Sequence, residues 1–94
     1  MRIIAGAKRG MHLLGPKTEG SRPITDRVKE SLFSVLYKYD LPDGAVVADL
    51  FCGVGSLGLE ALSRGAKCVT FVEKDQRIIA VLKKNIEKAG FVKN

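Results

Sequence analysis

The sequence contains little cysteine, proline or histidine and has no long apolar run, and these shortages exclude several classes of protein. Two cysteines, Cys52 and Cys68, and one histidine, His12, are too few for a four-ligand zinc site, and we predict no metal site. The longest apolar runs, such as residues 45–47, are far below the roughly 18 residues of a membrane span. The first residues lack the apolar stretch of a signal peptide. We therefore expect a cytoplasmic protein with free thiols.

Composition and charge indicate a small globular domain with basic ends. The chain has 94 residues, of which 46% are hydrophobic and 28% are charged, and its formal net charge is +6. Residues 1–30 carry +4, residues 31–82 carry −1 and residues 83–94 carry +3. This distribution favours a polyanion partner such as a nucleic acid, because phosphate contacts give most of the affinity in such complexes. Solubility alone is the other interpretation of the same charges.

The first third of the chain predicts a small β-hairpin, a loop and a helix. Residues 2–5 and 11–14 are extended pieces that flank a glycine-containing bend with basic residues. Residues 15–24 contain two prolines and two glycines and predict a loop. A helix follows, for which Thr25 is the predicted N-cap. Helical spacing predicts one buried face, formed by Val28, Leu32, Val35, Leu36 and Tyr39.

The rest of the chain alternates predicted strands and helices. Residues 45–51 are apolar on both alternating faces, which predicts a strand buried on both sides. A short helix over 57–64, a second strand over 68–72 and a helix from about Asp75 to Gly90 follow. A strand–helix–strand unit of this kind is right-handed with parallel strands. The predicted division is a basic hairpin and loop over 1–24 and an α/β unit over 25–94.

A glycine-rich stretch between the first strand and the next helix carries the main functional signal. It contains the spacing Gly53-x-Gly55-x-x-Gly58, and Glu73 follows Gly53 by twenty residues at the end of the second strand. Glycines let a ligand approach the backbone, and a carboxylate at this position can accept hydrogen bonds from ribose hydroxyls. The spacing therefore predicts a nucleoside-cofactor site. The alternative is a turn made for helix packing, with Glu73 a solvated strand end.

An acidic residue before the glycines favours one cofactor over another. Asp49 precedes Gly53 by four residues, at the end of the first strand. S-adenosylmethionine carries a positive sulfonium and ammonium and no phosphate, so an acid here suits it better than it suits the pyrophosphate of NAD. A carboxylate can also cap the loop's own amides, and the two roles are compatible.

Two stretches of the sequence together resemble the ribosomal small-subunit methyltransferase D family. The run from Asp49 to Ala66, DLFCGVGSLGLEALSRGA, is one, and Val72-Glu73-Lys74-Asp75 continues it. The more specific part is RPITDRVKESLF over residues 22–33, because many methyltransferases share the glycine motif. Residues 2–6, 9–10 and 13 also resemble that family's N-terminal hairpin. The resemblance covers nearly the whole chain.

The resemblance implies a fold, an activity and a set of site residues. It implies the N-terminal half of a Rossmann-like S-adenosylmethionine-dependent methyltransferase fold, which transfers a methyl group to the N2 amine of a guanine in 16S rRNA. The implied partner is 16S rRNA or the assembling small ribosomal subunit. The implied cofactor-binding residues are Asp49, Phe51, Gly53, Gly55, Glu73, Arg22 and Thr25. The implied RNA-binding residues are Arg2, Lys8, Arg9 and Arg27.

The family's target-amine motif, Asp or Asn followed by Pro-Pro and an aromatic residue, does not occur in these 94 residues. The three prolines are Pro16, Pro23 and Pro42, and no two are adjacent. We therefore assign no catalytic residue and expect the chain to be inactive alone. Because a strand expected beside the first one is missing, the open edge predicts self-association or strand exchange, or else poor stability. The alternatives are a non-catalytic RNA-binding module and an NAD-type Rossmann fragment.

Overall fold

The computed structural model describes residues 2–15, 25–50 and 52–91, and within them it contains three helices and two strands. Helix α1 spans Asp26–Tyr37, strand β1 spans Val46–Leu50 and helix α2 spans Ser56–Ser63. Strand β2 spans Cys68–Val72 and helix α3 spans Gln76–Ala89. The chain is therefore of the α/β class, in the predicted order.

The two strands form a parallel sheet, as predicted. Val46 pairs with Cys68, and the register continues to Leu50 beside Val72. The prediction that the first strand is buried on both sides is wrong for the described residues. Helix α2 packs against the sheet, and the side chains directed away from it stay exposed, Val46 at 72% and Leu50 at 63%. No element in the described ranges covers that second face.

The helix boundaries follow the predicted signals. The Thr25 side chain accepts a hydrogen bond from the Val28 amide and caps α1. The Asp75 carboxylate accepts from the Arg77 amide and caps α3. Gly90 ends α3 in the left-handed conformation, at φ 73°. Within the described ranges no helix is both long and apolar enough to cross a membrane.

The predicted buried face of α1 is wrong. The buried side chains of this helix are Lys29 and Phe33, whereas Val28 and Val35 are about half exposed. Leu32 and Tyr39, from the predicted face, are also exposed. The face that turns inward carries Lys29, whose ammonium lies 3.4 Å from the buried carboxylate of Glu60, and Phe33, which packs against Ala61 and Ala66. An ion pair and an apolar contact on this face thus take the place of the predicted apolar face.

The N-terminal hairpin is present as a short antiparallel pairing that packs on the helices. Arg2 pairs with His12, and the Ile3 amide donates to the Met11 carbonyl at 2.9 Å. Ile3 and Leu13 are buried in one apolar cluster with Leu59 and Ala89 of the helices. Most of the predicted loop, residues 16–24, lies outside the described residues.

Candidate functional site

The glycine loop turns the chain at the carboxyl end of β1. The Cys52 amide donates to the Val72 carbonyl at 2.9 Å, which extends the parallel pairing one step beyond the strands. The Gly55 amide then donates back to the Cys52 carbonyl at 3.0 Å and closes the turn. Gly53 and Gly55 both have positive φ, 57° and 89°, a conformation that side chains disfavour. The turn thus favours glycine at both positions.

The three glycines of the motif differ in what surrounds them. A Cβ on Gly58 would collide with the Phe71 ring, and one on Gly55 would collide with the Leu82 side chain. Both glycines therefore permit close packing of α2 and α3 on the sheet and the loop. A Cβ on Gly53 would meet no atom within 4 Å. Gly53 is thus the position where the loop backbone is open to an approaching ligand.

The Glu73 carboxylate at the end of β2 binds backbone amides. It accepts hydrogen bonds from Gly53 at 2.9 Å, Lys74 at 3.0 Å and Asp75 at 2.9 Å. The Asp75 and Gly53 amides hold the pKa of Glu73 below its usual value. A carboxylate has about four acceptor positions, so this arrangement leaves about one for a further donor. Glu73 connects the second strand to the start of the glycine loop.

The Asp49 carboxylate near the end of β1 caps helix α2. It accepts from the Gly58 amide at 3.1 Å, while the N-cap residue itself, Gly55, has no side chain to do so. Burial raises the pKa of Asp49, and the Gly58 amide partly offsets that rise. The capping role foreseen for Asp49 is therefore present. It also occupies an amide that a phosphate would need at this helix N-terminus.

Cys52 lies within the field of both carboxylates. Its pKa is raised to about 11, first by burial and then by the negative charges of Asp49 and Glu73. The thiol is therefore protonated near neutral pH and is a poor nucleophile. Asp49 and Glu73 both lie at the loop, and two carboxylates there favour a cationic ligand group.

Sequence reasoning missed Asn85, a fully buried residue of α3 that contacts the glycine loop. Its side-chain amide donates to the Val54 carbonyl and to the Leu14 carbonyl, each at 3.0 Å. Its oxygen accepts from the Leu14 amide at 2.7 Å. Asn85 thus joins the end of the hairpin to the middle of the loop. The available signal was a polar residue between Leu82 and Ile86 on the apolar face of the helix.

Sequence reasoning also missed a buried ionic cluster behind the loop. The Lys29 ammonium donates to the Ser56 hydroxyl at 2.8 Å and to the Arg2 carbonyl. Glu60 pairs with both Lys29 and Arg64, and it accepts from the Ile4 amide at 2.7 Å. Burial lowers the pKa of Lys29 against the opposing effect of Glu60. An acid inside the otherwise apolar helix SLGLEALS was the sequence signal.

The other predicted cofactor residues are only partly described. Thr25 caps α1 and is exposed, and none of the described contacts tests the cofactor role predicted for it. Phe51 and Arg22 lie outside the described residues, so their predicted roles stay predictions.

The structure separates the predicted RNA-binding residues into two groups. The Arg2 guanidinium pairs with Asp26 at 2.9 Å, which places it beside Arg27 at the start of α1. Lys8 and Arg9 lie at the hairpin bend, whose amides reach the far end of α2. There the Lys8 amide donates to the Ser63 hydroxyl at 2.9 Å. The Lys29 ammonium links the Arg2 carbonyl to Ser56 at the near end of α2, so an eight-residue helix, about 12 Å long, lies between the two groups.

Comparison with known proteins matches the whole chain to one family. The model described as conserved hypothetical protein 95 matches residues 1–94. The ribosomal RNA small subunit methyltransferase D of Haemophilus influenzae is 51% identical over 87 residues, which are 93% of this chain and 44% of that protein. The Escherichia coli protein of the same name is 46% identical over 92 residues, 96% of this chain and 46% of that protein.

Solved structures give the same result. The yhhF protein of Escherichia coli superposes with a TM-score of 0.84 at 43% identity, over 97% of this chain and 48% of that one. A hypothetical protein of Thermus thermophilus gives a TM-score of 0.82 at 34% identity, over 96% and 50%. The chain spans about half the length of the relatives that it matches. It belongs to the family described as conserved hypothetical protein 95, and the predicted resemblance to ribosomal small-subunit methyltransferase D is confirmed.

Proposed function

We propose that this chain forms the S-adenosylmethionine-binding part of a Rossmann-like methyltransferase that acts on rRNA. The observation that carries the proposal is the pair of carboxylates at the ends of adjacent parallel strands. Asp49 and Glu73 lie on either side of the glycine loop, and Gly53 between them is open. In an open α/β sheet, ligands bind at the carboxyl ends of the strands. Relatives named as ribosomal RNA methyltransferases support the proposal, and the location that we propose with it is the cytoplasm.

The electrostatics of the loop support S-adenosylmethionine over NAD. A dinucleotide would bring its pyrophosphate to the N-terminus of α2, where the Gly58 amide is already bound by Asp49. The phosphate charge would also face Asp49 and Glu73, which both raise the pKa of Cys52. A sulfonium and an ammonium group would be attracted by the same two charges. Glu73 would hold the ribose through its remaining acceptor position.

The target that we propose is the N2 amine of a guanine in 16S rRNA, which follows from the family. The motif expected to bind that amine, Asp or Asn followed by Pro-Pro and an aromatic residue, does not occur among the 94 residues. These residues therefore supply the cofactor side of the reaction and no group that touches the amine. Radiolabelled methyl transfer to 16S rRNA by this chain alone, at the rate of a relative with the proline motif, would contradict that division.

Two ligands and two substitutions test the cofactor site. S-adenosylhomocysteine has the ribose and an ammonium group, whereas adenosine has the ribose and no ammonium group. Asp49→Asn keeps an acceptor for the Gly58 amide and removes the charge, so it should weaken S-adenosylhomocysteine about tenfold and leave adenosine unchanged. Glu73→Gln should weaken both ligands about tenfold or more, because both donate ribose hydroxyls. Isothermal calorimetry measures all of these affinities.

The alternatives give different results in the same experiment. An NAD-type fragment would bind NAD and not S-adenosylhomocysteine. A non-catalytic RNA-binding module would bind RNA in a salt-dependent manner and neither adenosyl ligand. Either result would overturn the proposed cofactor, and equal loss of adenosine affinity in both variants would overturn the assignment of separate roles.

A further inference from the structure

Two basic segments that are far apart in the sequence meet at one place on the surface. The hairpin bend carries Lys8 and Arg9, and the last turns of α3 carry Lys84 and Lys88. The Lys88 ammonium donates to the carbonyl of His12 at 2.7 Å, which joins α3 to the second hairpin strand. The Lys8 ammonium lies 5.9 Å from the centre of the Phe91 ring, just beyond the end of α3. Each basic segment thus touches the backbone or ring of the other.

The charges on these two segments are not balanced by acids of the same segments. Lys84 and Lys88 are one turn apart, so they share a side of the helix, and both are exposed. The only acidic residue between positions 83 and 91 is Glu87, and residues 6–12 contain none. The residues Lys8, Arg9, Lys84 and Lys88 are called the bend–helix surface below. Its summed field is positive.

The hairpin bend of the bend–helix surface is remote from the glycine loop. The hairpin bend is bound by Ser63 at the carboxyl end of α2, and the glycine loop precedes the amino end of the same helix. Eight helical residues, about 12 Å, separate the two ends. A polyanion bound at the hairpin bend would therefore lie away from the negative charges of Asp49 and Glu73.

We propose that the bend–helix surface binds the phosphate backbone of RNA outside the reacting nucleotide, with Lys84 and Lys88 of α3 as contacts in addition to the hairpin. The inference rests on the proposed rRNA substrate and extends it to a second, remote contact. Lysine ammonium groups recognise phosphates without reading the bases. The surface therefore increases affinity for RNA in general, and it contributes nothing to the choice of nucleotide.

The test compares two double variants with equal loss of charge. Lys84→Gln with Lys88→Gln removes two charges from the bend–helix surface, and glutamine at position 88 can still donate to the His12 carbonyl. Lys38→Gln with Lys67→Gln removes two charges at exposed positions after α1 and before β2. RNA affinity is measured by fluorescence anisotropy over a series of salt concentrations, with a 16S rRNA fragment and an unrelated RNA of equal length.

In the Lys84 and Lys88 variant, the slope of log affinity against log salt concentration should be shallower by about 0.7 for each lost phosphate contact. The slope should be unchanged in the control variant. The loss should be the same for both RNAs. S-adenosylhomocysteine affinity should be unchanged in both variants. Equal RNA binding by the two variants, loss confined to the 16S fragment, or no RNA binding by the unmodified chain would each overturn the proposal. Failure of the unmodified chain to bind S-adenosylhomocysteine would instead overturn the proposed function.

Discussion

The side-chain amide of Asn85 donates to the carbonyl of Val54 at 3.0 Å, in the middle of the glycine loop. The same side chain is bonded to both backbone polar groups of Leu14. Because the bond to Val54 is buried, removal of the Asn85 side chain leaves that carbonyl without its partner. One residue of α3 therefore holds the loop and the hairpin in a fixed relation.

We expect Asn85→Ala to destabilise the chain by about 3 kcal/mol, because the buried Val54 carbonyl and the two part-buried backbone groups of Leu14 lose their partner. It should also weaken S-adenosylhomocysteine binding, since the loop loses its support at Val54. Urea unfolding measures the first effect and calorimetry the second. Lys83→Ala is the matched control on the same helix, because Lys83 is exposed. Equal stability of the two variants would show that water takes over the role of Asn85.

The glycine motif gives a second prediction, in which substitution of Gly58 mainly lowers stability and substitution of Gly53 mainly weakens ligand binding. Gly58→Ala forces a Cβ against the Phe71 ring, so we expect a loss of about 1–3 kcal/mol in unfolding free energy. Gly53→Ala has space for the Cβ and only the cost of positive φ, about 1 kcal/mol. The Gly53 variant should nevertheless bind S-adenosylhomocysteine more weakly, because the methyl group enters the space where the ligand approaches the loop. Thermal melts and calorimetry on both variants measure the separation.

The opposite pattern would contradict this assignment of roles. If Gly53→Ala bound the ligand normally and was strongly destabilised, the glycine at 53 would be required only by the turn. If Gly58→Ala was as stable as the unmodified chain, the contact between α2 and β2 would be looser than the position of Phe71 indicates.

Much of the fold was predictable from the sequence, because its signals lie within a few residues of one another. The caps at Thr25 and Asp75, the strand over 68–72 and the parallel pairing follow from residue type and spacing. The rotation of α1 was not predictable in this way. Its apolar spacing selects the Val28 face, yet the partner that buries Lys29 is Glu60, 31 positions away in α2. Apolar periodicity carries no information about such a long-range ion pair.

The candidate site likewise contains residues that were predictable from local spacing and one that was not. Asp49, Gly53 and Glu73 are recognised by their spacing from one another, and the structure brings them together around one loop. Asn85 was missed, because a single polar residue on an apolar helix face does not reveal which backbone group it binds. The partners Val54 and Leu14 become visible only once the hairpin is placed against α3.

The third prediction concerns acid stability. Hydrogen bonds from backbone amides hold the folded-state pKa of Glu73 below its ordinary value of 4.5. A depressed carboxylate pKa adds stability above the unfolded-state value, and this stability is lost as the pH falls through the folded-state value. We therefore expect Glu73→Gln to reduce the difference in stability between pH 7 and pH values below 4.5. Urea midpoints across that range measure it.

Two other acids, Asp26 and Asp49, have shifted pKa values and serve as references for Glu73. The pKa of Asp26 is also lowered, through its bond with Arg2. Asp26→Asn should therefore also reduce the loss of stability at acid pH, without changing ligand affinity. Burial raises the pKa of Asp49, which makes its ionised form unfavourable for folding as the pH rises. If Glu73→Gln lost as much stability at acid pH as the unmodified chain, the three hydrogen bonds from backbone amides to Glu73 would not be maintained in solution.

The fourth prediction is that the chain associates with itself through the uncovered side of its sheet. Val46, Leu50 and Val72 are 72%, 63% and 47% exposed, and they lie on paired positions of β1 and β2 or beside them. An exposed apolar strand with an open edge invites pairing with another chain. Val46→Lys with Leu50→Lys should therefore lower the apparent mass in light scattering towards that of a monomer. Val28→Lys, an equally apolar exposed position on α1, should leave the mass unchanged. A monodisperse monomer of the unmodified chain at high concentration would contradict the prediction. It would show that the apolar area buried on association does not outweigh the entropy that association costs.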